Sequence, residues 1–253
     1  MRAILTLAGK DLRNLLTSPL FYVIAGLCSM LWSSIFIRAF FTFAGRSQAF
    51  AQSGMEGGAN IHQQVFLPHI NIINLLFVFV VPALTMRLLA EEKRLRTYDL
   101  LLTSPISATD IAVGKFLAGW GAVALLAGIS FLYPLSTGLV ASFPMGPLIS
   151  SYVGVLLVSG AYVAVGLFAS SLTESILLSV ILGLVFNLLL WFIAQAAGEG
   201  SSYASFFEYL SIGHHYVTLV LGAYKLNSLV FLLSLIGLFV FLTQRVVESS
   251  RWR

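Results

Sequence analysis

Six uninterrupted apolar runs leave this chain few ways to fold. They cover approximately Leu20–Phe43, Ile70–Ala90, Ala112–Thr137, Leu148–Ser170, Ile176–Ala197 and Ser228–Thr243. A helix crosses a bilayer with about 20 apolar residues, and the runs match or approach that length. Apolarity is continuous within each run and does not alternate, so the spans are read as helices, not barrel strands. Of 253 residues only 9% are charged, against roughly 25% in soluble domains. So little charge cannot cover a soluble exterior, so most of the exterior must face lipid. The expectation is an all-α membrane protein of six transmembrane helices in one domain, residues 1–253, with no separate soluble domain. The single cysteine, Cys28, falls inside the first run, so no disulfide can form within the chain.

The basic residues are unevenly placed. Arg2, Lys10 and Arg13 precede the first run, Arg87, Lys93, Arg94, Arg96 and Lys115 surround the second connection, and Arg245, Arg251 and Arg253 follow the last run. In a six-span arrangement these eleven of the fourteen lysines and arginines share one side. The positive-inside rule then makes both termini and the second connection cytoplasmic. Residues 1–18 are amphipathic, with Ile4, Leu5, Ala8, Leu12, Leu15 and Leu16 on one arc and Arg2, Thr6, Lys10 and Arg13 on the other. They read as an interfacial helix ending at Ser18-Pro19, not as a cleavable signal. On the opposite side, Ala44–His69 is rich in Gly, Gln and Ser and reads as a mobile loop, and Ser136–Pro147 as a short one. Residues 198–227 contain Phe206, Phe207, Tyr209, Leu210, Tyr216 and Val217. That is too apolar for a solvated loop and too short for two crossings. A re-entrant pair of short extracytoplasmic helices is expected there.

The densest charge in the chain lies in residues 91–111, beginning Glu91-Glu92-Lys93-Arg94-Leu95-Arg96. A loop serving only as a topological anchor would need those charges alone. The apolar residues Tyr98, Leu100, Leu101, Leu102 and Ile106 that follow suit a short surface helix that inserts into a partner groove. Ser107 with Asp110 three residues later suits an N-cap for the third span. Within the spans, Asn187, Trp191 and Gln195 share a face at i, i+4, i+8, and Asn71 and Asn74 lie near the outer end of span two. These five are candidates for a polar translocation path, with interhelical hydrogen-bond glue as the competing reading. Gly160/Ala164 and Gly166/Ser170 form small-residue ridges suited to close packing.

Several chemistries have no support. Gly114-Lys115-Phe116 lacks the hydroxyl residue and the earlier glycine of a phosphate loop. His214 and His215 are adjacent, so on a helix they diverge by about 100°, and no Cys, Met or carboxylate cluster accompanies them. No metal site and no catalytic residues are therefore assigned.

The run Glu91 to Arg94, then Thr97-Tyr98-Asp99-Leu100-Leu101-Leu102-Thr103-Ser104-Pro105-Ile106-Ser107, and Lys115 beyond it, resembles the cytoplasmic signature of type-2 ABC transporter permeases. Gly166 to Ser175 resembles their fourth-to-fifth connection. Leu210-Ser211, His215-Tyr216, Gly222 and the tail from Leu242 to Arg253 resemble their last span and C-terminus. Gliding-motility permeases are the nearest subgroup, with copper-enzyme-maturation permeases close behind. Arg96 departs from the pattern, since these permeases usually carry Gly before the Thr.

The resemblance implies the type-2 exporter fold and a non-catalytic permease of the bacterial inner membrane. It implies a coupling helix in 91–111 that meets a separate ATPase through Glu91, Glu92, Arg94, Tyr98, Leu101 and Leu102. Two ATPase copies would bind ATP and Mg. A second permease copy, or a related membrane subunit with a large extracytoplasmic region, would complete the complex. The lipid bilayer is the other partner, and no nucleic acid is expected. Two alternatives are a transducer that passes ATPase motion to an extracytoplasmic partner, and a non-transporting membrane enzyme or assembly factor.

Overall fold

The structure is a computed structural model that describes residues 2–53, 60–196, 203–221 and 225–251. Every regular element among them is helical. In chain order these are α1 (Arg2–Leu16), α2 (Pro19–Ser53), α3 (Leu67–Thr85), α4 (Ala90–Arg94), α5 (Tyr98–Thr103), α6 (Ala108–Thr137), α7 (Met145–Ser171), α8 (Ile176–Phe192), α9 (Ala204–Leu210), α10 (Ile212–Val220) and α11 (Leu226–Ser250). A π-helical turn, His62–Phe66, leads into α3, and a 3₁₀ turn, Ile193–Ala196, closes α8. Six of the helices (α2, α3, α6, α7, α8 and α11) are long and apolar enough to cross a membrane.

α7 is the hub and packs against α3, α6, α8, α10 and α11. Its small residues permit that. Gly166 faces Thr85 of α3, and its Cα lies 3.6 Å from where a Cβ on Gly183 of α8 would sit. Gly160 faces Trp120 of α6 and Ile236 of α11, and Gly154 faces Leu219 of α10. These contacts place the ridges anticipated from the sequence at helix crossings. By contrast α2, α8 and α11 turn most of their apolar surface outward, including Met30, Phe41, Leu177 and Leu233, as lipid-facing helices do.

Several sequence boundaries need correcting. The expected loop Ala44–His69 is largely helical: α2 continues through Ser53, and helix resumes at His62. Between Ala44 and Ser53 only Gly45 weakens helix, and no proline ends it. α2 therefore runs 35 residues, about 52 Å at 1.5 Å per residue, well beyond a hydrocarbon core of about 30 Å. Likewise α6 starts at Ala108 and α11 reaches Ser250, because polar residues at a span end remain good helix formers. Pro82 is accommodated inside α3, and the chain turns only after it, at Met86–Leu89.

Residues 198–227, read as a re-entrant pair, lie partly outside the described residues. The described part forms α9 and α10, broken at Ser211. Three side chains from the π turn and α7 bond the last carbonyls of α10. Ser150 Oγ donates to Leu219 O (3.3 Å), Ser151 Oγ donates to Val220 O (2.8 Å), and His62 Nε2 lies 3.3 Å from the same oxygen. This satisfies acceptors that a helix end leaves unpaired. His215 fastens the other end. One ring nitrogen bonds Tyr209 O at 2.8 Å, the other bonds Ser228 Oγ at 2.9 Å, and the ring stacks on Phe231. Both nitrogens are thus committed to structure.

Candidate functional site

The charged connection is built of two short helices. Each has charges that suit its ends: Glu91 and Glu92 open α4, Lys93 and Arg94 close it, and Asp99 opens α5. Between them Arg96 takes φ 59°, the left-handed region, and is the only described non-glycine residue to do so. An L side chain pays about 1 kcal/mol or more there and glycine does not. This is a physical reason for glycine at the position, and here Arg96 makes the turn in its place. After α5, Ser107 and Asp110 form the reciprocal capping box anticipated for α6, with Asp110 N bonded to Ser107 Oγ at 3.0 Å.

The inner face of this segment is fixed to the bundle. Lys93 Nζ donates to Ser171 O at 2.5 Å and lies 5.2 Å from the centre of the Tyr98 ring. Ala90 N donates to Ser170 Oγ at 2.9 Å. Arg87 pairs with Glu91 at 2.8 Å and also hydrogen-bonds Ser18, at the junction of α1 and α2. Arg251 of the tail donates to Ile106 O. Leu101, Leu102 and Ile106 pack on a small core of Leu7, Ala108, Ile111 and Val247.

One further attachment is buried. Lys115 of α6 has no exposed surface, and its Nζ lies 3.0 Å from Asp11 Oδ2 of α1 and 2.8 Å from Glu92 Oε2 of α4. The Asp11 contact is a hydrogen bond, whereas the Glu92 contact is an ion pair without hydrogen-bond alignment. Two carboxylates from different helices thus face one buried ammonium, and removing either would leave the site with less to offset its desolvation.

The six expected coupling residues therefore divide. Glu91 is tied to Arg87, Glu92 to Lys115, Tyr98 is buried, and Leu101 and Leu102 are half-buried. Burial holds the Tyr98 phenol above the usual tyrosine range. Only Arg94 of the six is exposed, together with Leu95, Arg96, Asp99 and Leu100. Leu95 and Leu100 are 59% and 72% exposed. On one side of α5 a groove of about 680 Å3 opens toward α1, lined among others by Lys10, Asp11, Leu95, Leu100 and Leu101. On the other, one of about 290 Å3 opens toward Leu172–Glu174.

Asp11, Leu95 and Leu100 were not singled out by sequence. Asp11 had a signal: it is the first acidic residue of the chain and lies at i+4 and i−4 from Leu7 and Leu15, the buried stripe of α1. The stripe faces α6, so α1 docks on the protein along Leu7, Asp11 and Leu15, while Leu5 of the apolar arc stays 68% exposed.

Of the five candidate path residues, Asn74 and Asn187 are buried, Trp191 is half-buried, and Asn71 and Gln195 are exposed. Asn74 Oδ1 accepts from the buried Tyr162 hydroxyl at 3.2 Å. Asn71 Oδ1 accepts from Tyr216 at 3.0 Å. Asn187 is fully buried, with neither amide atom partnered. Trp191 packs against Tyr216, and Gln195 is exposed in the 3₁₀ turn.

Six long apolar helices with a braced polar segment between the second and third define an integral membrane protein. A profile of the family described as "ABC-2 family transporter protein" matches residues 5–246. The chain belongs to that family, and it is the permease subunit of an ABC transporter. Such permeases are in general non-catalytic membrane components that work with an ATPase subunit. Comparison with curated proteins gives no match.

Proposed function

We propose that this permease serves an ATP-driven exporter and receives its driving force through the outer face of α4–α5. The observation that carries the reading is the two-sidedness of that segment. Its inner face is bonded to α1, α6, α7 and the tail, while Leu95 and Leu100 stand out in a rim of Arg94, Arg96 and Asp99. Apolar knobs within a charged rim are the usual anatomy of a protein interface. Two copies of a separate ATPase, binding ATP and Mg, would dock on two such segments in a permease dimer or in a pair with a related membrane subunit. A large extracytoplasmic region on that subunit would meet the far end of α2 and α9–α10. The basic asymmetry supports cytoplasmic termini and a cytoplasmic α4–α5, and the resemblance to bacterial permeases supports the inner membrane. The resemblance of the signature residues supports a gliding-motility role first and a copper-enzyme-maturation role second.

The test is a pull-down of the ATPase that co-purifies with the chain. Leu95→Glu with Leu100→Glu should abolish capture. Leu100→Ala alone should weaken it by about 30-fold if it is a hot spot of about 2 kcal/mol. Full capture by the double variant would sink the docking assignment.

A second reading, force transduction without a passage through this chain, draws support from the polar span residues. Asn71 and Asn74 spend their carbonyls on Tyr216 and Tyr162 within one protomer. A substrate bound at Asn187, Trp191 or Gln195 would decide for transport.

A further inference from the structure

Lys115 lies at the junction of three elements that the sequence separates widely. Its carboxylate partners come from α1, 104 residues earlier, and from α4. Lys10 Nζ adds a fourth charge at 3.7 Å from Asp11 Oδ1. The order Lys10, Asp11, Lys115, Glu92 alternates in sign and balances. Lys115 is wholly buried, and the Asp11 and Glu92 side chains are 6% and 20% exposed, so water screens these contacts weakly. Surface ion pairs hold two elements loosely, but a buried set resists separation, because parting one partner strands a charge in a dry site.

Topology alone does not require this arrangement. An amphipathic α1 could rest in the interface on its own apolar arc. Instead it turns Leu7, Asp11 and Leu15 to α6, and Gly114 admits it closely: a Cβ at Gly114 would fall 3.3 Å from Leu7 Cβ. On the other side, Glu92 sits one turn before the exposed face of Leu95 to Leu100. A push on that face reaches α6 by way of Glu92, and α1 by way of Asp11.

We propose that Lys115 is a positioning residue that joins the docking segment, α6 and α1 into one rigid body. Each carboxylate forms a separate arm of the joint. The Glu92 arm carries displacement of α4–α5 into α6, and the Asp11 arm makes α1 travel with α6. The inference rests on the reading of α4–α5 as the ATPase-docking segment, but the Asp11 arm can be tested without it.

The experiment uses the full chain in membranes with Cys28→Ala, and Leu7→Cys with Gly114→Cys as a reporter pair. The Cβ separation is close to that of a disulfide, about 3.8 Å, so oxidation should link α1 to α6 rapidly. Asp11→Asn should slow this linking about tenfold, and Glu92→Gln should leave it unchanged; Lys115 keeps one carboxylate in each variant, so each remains foldable. With the co-purifying ATPase, both variants should still capture it, since Leu95 and Leu100 are untouched, yet lose the permease-dependent part of ATP turnover. The reporter disulfide, once formed, should restore turnover to Asp11→Asn and not to Glu92→Gln. A role in general stability would move both variants alike and show no selective rescue. Equal linking rates in all three chains overturn the joint whatever the ATPase does. Full turnover by Glu92→Gln also overturns it. Failure of the unsubstituted chain to capture the ATPase refutes the docking reading instead, and the linking rates still decide the Asp11 arm.

Discussion

Gly166 offers the most exacting test of how the bundle is packed. A Cβ at this position would overlap Thr85 Oγ1 and stand 3.2 Å from Thr85 Cβ and 3.3 Å from Cγ2. Thr85 is itself 1% exposed, so it has little room to move. Overpacking of this kind costs typically about 1–3 kcal/mol, while replacing glycine by alanine inside a helix returns about 1 kcal/mol. Gly166→Ala should therefore destabilise by roughly 0–2 kcal/mol. The control is Gly128→Ala in α6, where a Cβ meets nothing within 4 Å; it should stabilise by about 1 kcal/mol. Thr85→Ala removes both Oγ1 and Cγ2, leaving only the Cβ contact. Combined with Gly166→Ala it should recover most of the clash, giving an interaction energy of about 1–2 kcal/mol in the double-mutant cycle. Reversible unfolding in mixed micelles measures the four chains of the cycle and the Gly128→Ala control. If Gly166→Ala stabilises as much as Gly128→Ala, or the cycle closes to zero, then α3 and α7 do not meet as described. The braced position of α4, which hangs from the end of α3, would fall with them.

Four further outcomes are expected. Arg96→Gly relieves the left-handed turn and should raise stability by about 1 kcal/mol, seen as a higher melting midpoint; a lower one would mean that the Arg96 side chain outweighs its backbone strain. Asn187→Leu should stabilise the purified chain by about 1–3 kcal/mol, since it removes a buried amide with no partner; destabilisation would show that water or a partner satisfies it. Burial holds the His215 pKa below its ordinary 6.5, with the exposed His214 beside it acting in the same direction. The folded state therefore resists protonation, so this stabilisation is complete above about pH 6.5 and is lost as pH falls below it; hydrogen-exchange protection in α9–α10, taken relative to the intrinsic exchange rate at each pH, should fall in acid, and less so in His215→Gln. Cysteines at Ser47 and Leu100, both exposed, should label with an impermeant reagent from opposite sides of the membrane, and same-side labelling would overturn the six-span topology.

The sequence by itself determined the class of molecule. Long apolar runs in a chain with 9% charged residues admit only helices whose backbone groups are satisfied internally. The Ser107–Asp110 cap was legible for the same local reason, because its donors and acceptors lie within one turn. So was the close packing at Gly160 and Gly166, since a missing side chain is visible in any sequence. What the tertiary structure decided was the facing of the docking segment and the destination of its charges. α5 is six residues long, too short for periodicity to reveal which leucines turn inward. Tyr98 and Leu101 went in and Leu100 came out because Ser171, the tail and the Leu7–Val247 core fix the segment from outside it. The pairing of Lys115 with Asp11 and Glu92 was equally hidden. A basic residue at a span end reads as a topology anchor, and only the approach of α1 to α6 turns it into a buried joint.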